Sequence, residues 1–137
     1  MGDRTWVEFH VKESDKDNFL SKLKETYGWD PDRIDRNIHG GVVFLLYDVN
    51  YGGDELVEEL AETFDFHGGH GDGGNYGAGV FIAKDGEIVW CPSTYDGGPC
   101  VQIGRDGTLD DNEFRVAKLF WKLFNELYPE EESEGNS

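Results

Sequence analysis

Phe66-His67-Gly68-Gly69-His70-Gly71-Asp72-Gly73-Gly74-Asn75-Tyr76-Gly77-Ala78-Gly79 divides the chain, and how it is read decides the fold. Glycine loses more backbone freedom on folding than any other residue and is a poor former of both helix and strand. By composition the stretch is a loop, ordered only if a ligand, an ion or a neighbouring surface holds it. The regular elements are then those that flank it.

Downstream, Val80-Phe81-Ile82-Ala83 and Ile88-Val89-Trp90-Cys91 enclose Asp85-Gly86, the strongest short-range signal for a hairpin. A turn over 92–99 leads to a short expected strand, Cys100-Val101-Gln102-Ile103. Asp110 and Glu113 have the spacing of a capping box, and Leu109 can staple onto Phe114, so a long helix is predicted up to Tyr128, where Pro129 ends it. Its apolar residues, Trp121 among them, spread over roughly 220° of the helical wheel, more than one sheet face can cover. A neighbouring helix is expected to bury Trp121; a second chain is the alternative, so the chain reads as monomer or homodimer.

Upstream, Asp54-Glu55-Leu56-Val57 opens a helix that runs to Phe64, apolar on one side and acidic on the other. Gly41-Val42-Val43-Phe44-Leu45-Leu46-Tyr47 is apolar at every position after the glycine, which predicts a strand covered on both faces. Thr5-Trp6-Val7-Glu8-Phe9-His10-Val11 alternates as a half-buried strand does, with Trp6, Glu8 and His10 on its second face. Between these strands a helix is expected from Ser14 to Tyr27, with Ser14 and Asp17 as a weak capping box, followed by a further helical turn at Asp30-Pro31. The order is β-α-β-α-β-β-β-α: a single α+β domain over 1–129, its sheet mixed or antiparallel with the helices mainly on one face, and a disordered acidic tail over 130–137.

The net charge is −17, from 29 acidic against 12 basic residues. Such a field repels nucleic acid and anionic lipid as direct partners and attracts cations and basic proteins. No apolar run approaches the ~20 residues of a membrane helix, and no leader-like segment opens the chain, so a cytoplasmic protein with no membrane partner is expected. Two cysteines do not make a disulfide scaffold.

Charge is also unevenly placed. From Asn37 to Ala83 there is no Lys or Arg, while Asp54, Glu55, Glu58, Glu59, Glu62 and Asp65 fall within it. On a helix Glu55, Glu58, Glu59 and Glu62 are neighbours at three and four residues, and the like-charge pairs cost roughly 1–2 kcal/mol together. A row kept against that cost points to a small acidic protein-binding module that occupies a basic surface of a partner protein, in an inhibitor, immunity-type or DNA-mimic role. The partner would be a basic protein, such as a nucleic-acid-binding one, with Tyr51 and Tyr76 as nearby aromatic anchors.

The alternative is a small metal-binding protein or hydrolase centred on the glycine- and histidine-rich loop 66–79. His67, His70, Cys91 and Cys100 have the donor types of tetrahedral zinc, although the cysteines are farther apart than structural sites place them. The segment from Asp48 to Glu59 matches a calcium loop in part, with Asp48, Asn50, Asp54 and Glu59 at ligand positions and Gly53 at the sixth. No nucleophile, acid–base pair or phosphate loop has the spacing its chemistry needs, so no catalytic residue and no obligatory cofactor is assigned.

Overall fold

The computed structural model describes residues 4–36, 41–50, 53–72, 77–93 and 98–129; Tyr51, Tyr76 and the tail 130–137 lie outside the described residues. The elements are β1 (Arg4–Val11), α1 (Lys16–Ser21), β2 (Arg33–Arg36), β3 (Val42–Asn50), α2 (Asp54–Ala61), β4 (Phe66–His70), β5 (Gly79–Lys84), β6 (Glu87–Pro92) and α3 (Asp111–Leu127). The six strands form one antiparallel sheet in the order β2-β3-β1-β4-β5-β6, so the fold is α+β. No helix among the described residues is long and apolar enough to cross a membrane.

The glycine-rich stretch is where the structure departs most from expectation, because its first five residues are β4, a strand inside the sheet between β1 and β5. Tertiary packing overrides propensity here. Phe66 enters an aromatic cluster, its ring centroid 5.4 Å from Phe9, 5.8 Å from Phe19 and 6.1 Å from Phe81. Gly68 stands in register with Phe9 and Phe81. A Cβ at Gly68 would lie 2.8 Å from Cζ of Phe81 and would also meet the carbonyl of Glu8, so the neighbouring ring occupies the space a side chain would take. Residues 71, 72, 77 and 78 keep the expected irregular backbone.

Three smaller corrections follow from hydrogen bonding. Arg33–Arg36 is a strand and not a helical turn, because the Asp32 amide donates to the Leu45 carbonyl at 2.8 Å and the Asp32 carboxylate accepts from the Tyr47 amide at 2.8 Å, drawing the segment onto the edge of β3. Residues 100–103 form no strand; only the isolated bridges Ser93–Pro99 and Ile103–Leu109 survive there. The first helix is broken into a 3-10 turn (Glu13–Asp15), α1 and a π turn (Lys22–Thr26), without a side-chain N-cap. The β5–β6 hairpin forms as expected, with Asp85 and Gly86 both at positive φ, 53° and 84°.

The helices divide two to one across the sheet. On one face Val7, Phe9, Val11, Phe44, Leu46, Phe66 and Phe81 pack with Phe19 of α1 and Leu56, Val57 and Leu60 of α2. On the other, Val80, Ile82, Val89 and Cys91 pack with Phe120, Leu123 and Leu127 of α3. α3 lies on β5 and β6. Among the described residues no helix covers β2, β3 and β1 on that side, where Val43 and Leu45 are half-buried and Tyr47 is 49% exposed. The expectation that β3 is covered on both faces therefore holds on one face only.

The cap of α3 is built from the expected residues with different partners. Asp110 Oδ1 accepts from the Glu113 amide at 3.0 Å, but Glu113 Oε1 accepts from the Gln102 amide at 2.7 Å instead of returning to Asp110. Trp121 is 44% exposed, contrary to its expected burial, since among the described residues no second helix lies on its side of the sheet.

Candidate functional site

The acidic row forms as the helical spacing requires. α2 buries Leu56, Val57, Leu60 and Ala61, which turns Asp54, Glu55, Glu58, Glu59 and Glu62 outward, all exposed. Among the described residues none of the ion pairs reaches these carboxylates. Burial, and then the Glu59 carboxylate bonded to the hydroxyl, push the Tyr27 phenol above its ordinary value. That contact ties the row to the chain leaving α1.

Past the end of α2 the acidic surface turns a corner into a groove of about 410 Å³ lined by Asp15, Glu62, Asp65 and Asp85 with Ala61 and Thr63. Three segments bring these carboxylates together: the turn before α1, the α2–β4 connection and the β5–β6 turn. Asp65 is fixed by accepting the Asp85 amide at 3.0 Å. Lys84, next to the groove, lies 3.0 Å from Asp85 and 3.9 Å from Glu126, and the hydrogen bond to Asp85 holds its ammonium above the usual range. A groove of this composition can receive an ammonium or guanidinium group and rejects an anion.

The four residues expected to share a zinc are not brought together. His67 and His70, three apart on β4, point to opposite faces. His67 meets Phe124 and Tyr128 of α3, with ring centroids 5.0 and 5.1 Å away, whereas His70 approaches Trp90 at 6.3 Å on the side of the aromatic cluster. Cys91 is buried under α3, its thiol 3.9 Å from the Val116 carbonyl, and burial pushes its pKa to about 11. Cys100 is free and half-buried. Asp48 and Asn50 belong to β3, and Asp54 and Glu59 to α2. No group of three or more His, Cys, Asp or Glu placed to hold a metal occurs among the described residues.

What β4 assembles instead is a histidine pair that spacing along the chain does not reveal. His10 and His67 stand opposite each other in register and stack with centroids 4.3 Å apart and planes 25° apart. His10 Nε2 lies 2.8 Å from Glu8 Oε2. His67 Nδ1 lies 2.8 Å from the Tyr128 hydroxyl, which donates to the His10 carbonyl at 3.4 Å. This network fastens the end of α3 to the sheet. The polar face of β1 was a signal for His10, and Tyr128 reads from sequence only as the last apolar residue of a helix. On the opposite face, His70 and Trp90 line a cleft of about 270 Å³ with Gly77, Ala78 and Gly79.

No family model matches the sequence, and comparison with curated proteins and with solved structures likewise finds no match.

Proposed function

We propose that the chain is a small acidic protein-binding module that occupies a basic surface of a partner protein, in an inhibitor, immunity-type or DNA-mimic role. The observation that carries this reading is the continuity of the outward carboxylates of α2 with the groove lined by Glu62, Asp65, Asp15 and Asp85, none of the α2 carboxylates being ion-paired among the described residues. A helix that bears a row of like charges loses stability to self-repulsion, and a basic partner would relieve it. The overall charge of −17 would speed the encounter, and the complex would weaken as salt screens that field.

The test is simultaneous reversal of Glu55, Glu58, Glu59 and Glu62 to Lys, followed by capture from native-host lysate at low and high salt. Every reversed side chain is exposed, so the melting temperature should hold or rise. Capture by the parent protein should fall with salt, and capture by the variant should be lost. Equal capture by the two proteins with the same salt response would refute the reading.

A further inference from the structure

We infer that the half of the sheet that no described helix covers, β2, β3 and β1 on the α3 side, is a docking surface for one amphipathic helix with a basic flank. The alternation of burial along the strands defines it. Val7, Phe9, Phe44 and Leu46 face α1 and α2 and are fully buried, while the intervening Trp6, His10, Val43 and Leu45 remain only half-buried. Tyr47 stands at the top of the same patch, 49% exposed. β3 is thus apolar on both faces in a position where, among the described residues, only one face has a helix packed on it, the pattern of a strand whose second face is covered in a complex.

The dimensions suit a helix. Three strands about 4.8 Å apart leave a strip roughly 14 Å wide beside α3, and a helix with its side chains is about 10–12 Å across. β3 spans nine residues, eight steps that cover roughly 27 Å, so about 18 helical residues would run its length. α3 supplies one wall through Phe124 and Tyr128, which already meet His67 beside His10.

Charge selects the occupant. Glu8 stands within the patch, and Asp32 and Asp35 rim it, Asp35 opposite Val43 in register and Asp32 bonded to the Tyr47 amide. Arg33, opposite Leu45, is engaged by Asp35 at 2.8 Å. Because Asp35 and Arg33 offset each other, lysines or arginines flanking an apolar stripe would meet Glu8 within the patch, Asp32 on its rim and the −17 field beyond it. A second copy would offer only the exposed Phe114 and Trp121 of its α3, and the −17 charge on each copy opposes that pairing.

The experiment is an amide-shift titration of the full chain with an ~18-residue Leu/Lys amphipathic helix, a scrambled peptide of the same composition, and the Leu/Glu counterpart. The Leu/Lys helix should bind in the micromolar range and shift amides of β1 and β3. The scrambled and Leu/Glu peptides should bind at least about tenfold more weakly, as should the Leu/Lys helix to Leu45→Ser or to the exposed-site variant Tyr47→Ser. Reversal of the four α2 glutamates should change that affinity by less than about threefold. The inference is overturned by shifts confined to α2, by equal binding of the scrambled peptide, or by a dimer that shields the patch. Loss of binding on α2 reversal with Leu45→Ser and Tyr47→Ser unaffected would leave the acidic-face reading standing and remove this one.

Discussion

The two faces of the sheet use similar residues to different ends. The face under α1 and α2 is closed by an aromatic cluster in which Phe9, Phe19, Phe44, Phe66 and Phe81 are all fully buried, with Phe19 stacked on Phe44 at 5.5 Å and 6°. Among the described residues the face under α3 is closed by a helix only over its β5–β6 half, and on its other half Val43 and Leu45 are half-buried and Tyr47 is exposed. Alternate residues of a single strand, β3, serve the two. The difference separates what holds the fold from what is left for contact: the buried core fills the α1–α2 face and the β5–β6 half under α3, and the other half of the α3 face carries apolar surface that no described helix covers.

Truncation of two adjacent leucines should separate the two faces most strongly. Leu46→Ala removes a fully buried side chain from the closed face and should cost about 2–5 kcal/mol in denaturant unfolding, whereas Leu45→Ala, half-buried on the open face, should cost less than about 1 kcal/mol. Equal losses would mean that the open half is covered after all.

The second prediction tests whether β4 owes its place to the ring laid across it. Gly68→Ala sets a Cβ 2.8 Å from Phe81 Cζ and against the Glu8 backbone, and should destabilise by about 1–3 kcal/mol. Gly77→Ala, where nothing lies within 4 Å of the added Cβ, should stay within about 0.5 kcal/mol. Two glycines of one stretch would then differ because one is packed and the other is not; if both substitutions were silent, the packing account of β4 would be wrong.

The smallest effect concerns the closed half of the α3 face and shows only in alkali. Burial raises the Cys91 thiol from 9.0 to about 11, so the folded state keeps a proton that the unfolded chain releases. Its contribution, at most about 3 kcal/mol, is fully present below pH 9 and is lost as pH rises through 11. Cys91→Ala should flatten that slope. At pH 8 Cys100 should react with a thiol reagent well before Cys91 does; modification of both at one rate would show that α3 does not seal its half of the sheet.

Elements whose signals are local were legible in advance. The alternation of β1, the Asp85-Gly86 hairpin, the apolar side of α2 and the Asp110 cap all depend on residues a few positions apart, and each is found. The acidic row on α2 was legible for the same reason, since residues three and four apart on a helix share a side. The groove that extends it was not, because Asp15 and Asp85 reach it from distant segments. The His10–His67 stack was hidden for a related reason: it exists only through the pairing of β1 with β4, and β4 has no strand propensity of its own.

Composition and local pattern were therefore enough to determine an α+β chain, its acidity and which residues share a helix side or a strand face. It took the tertiary structure to make Phe66–His70 an inner strand, to part His67 and His70 to opposite faces, and to leave half of one face without a helix among the described residues. Propensity and periodicity act between near neighbours. Strand order and coverage are set by contacts such as Phe81 over Gly68 and Tyr128 on His67, whose free energy belongs to pairs far apart in the chain.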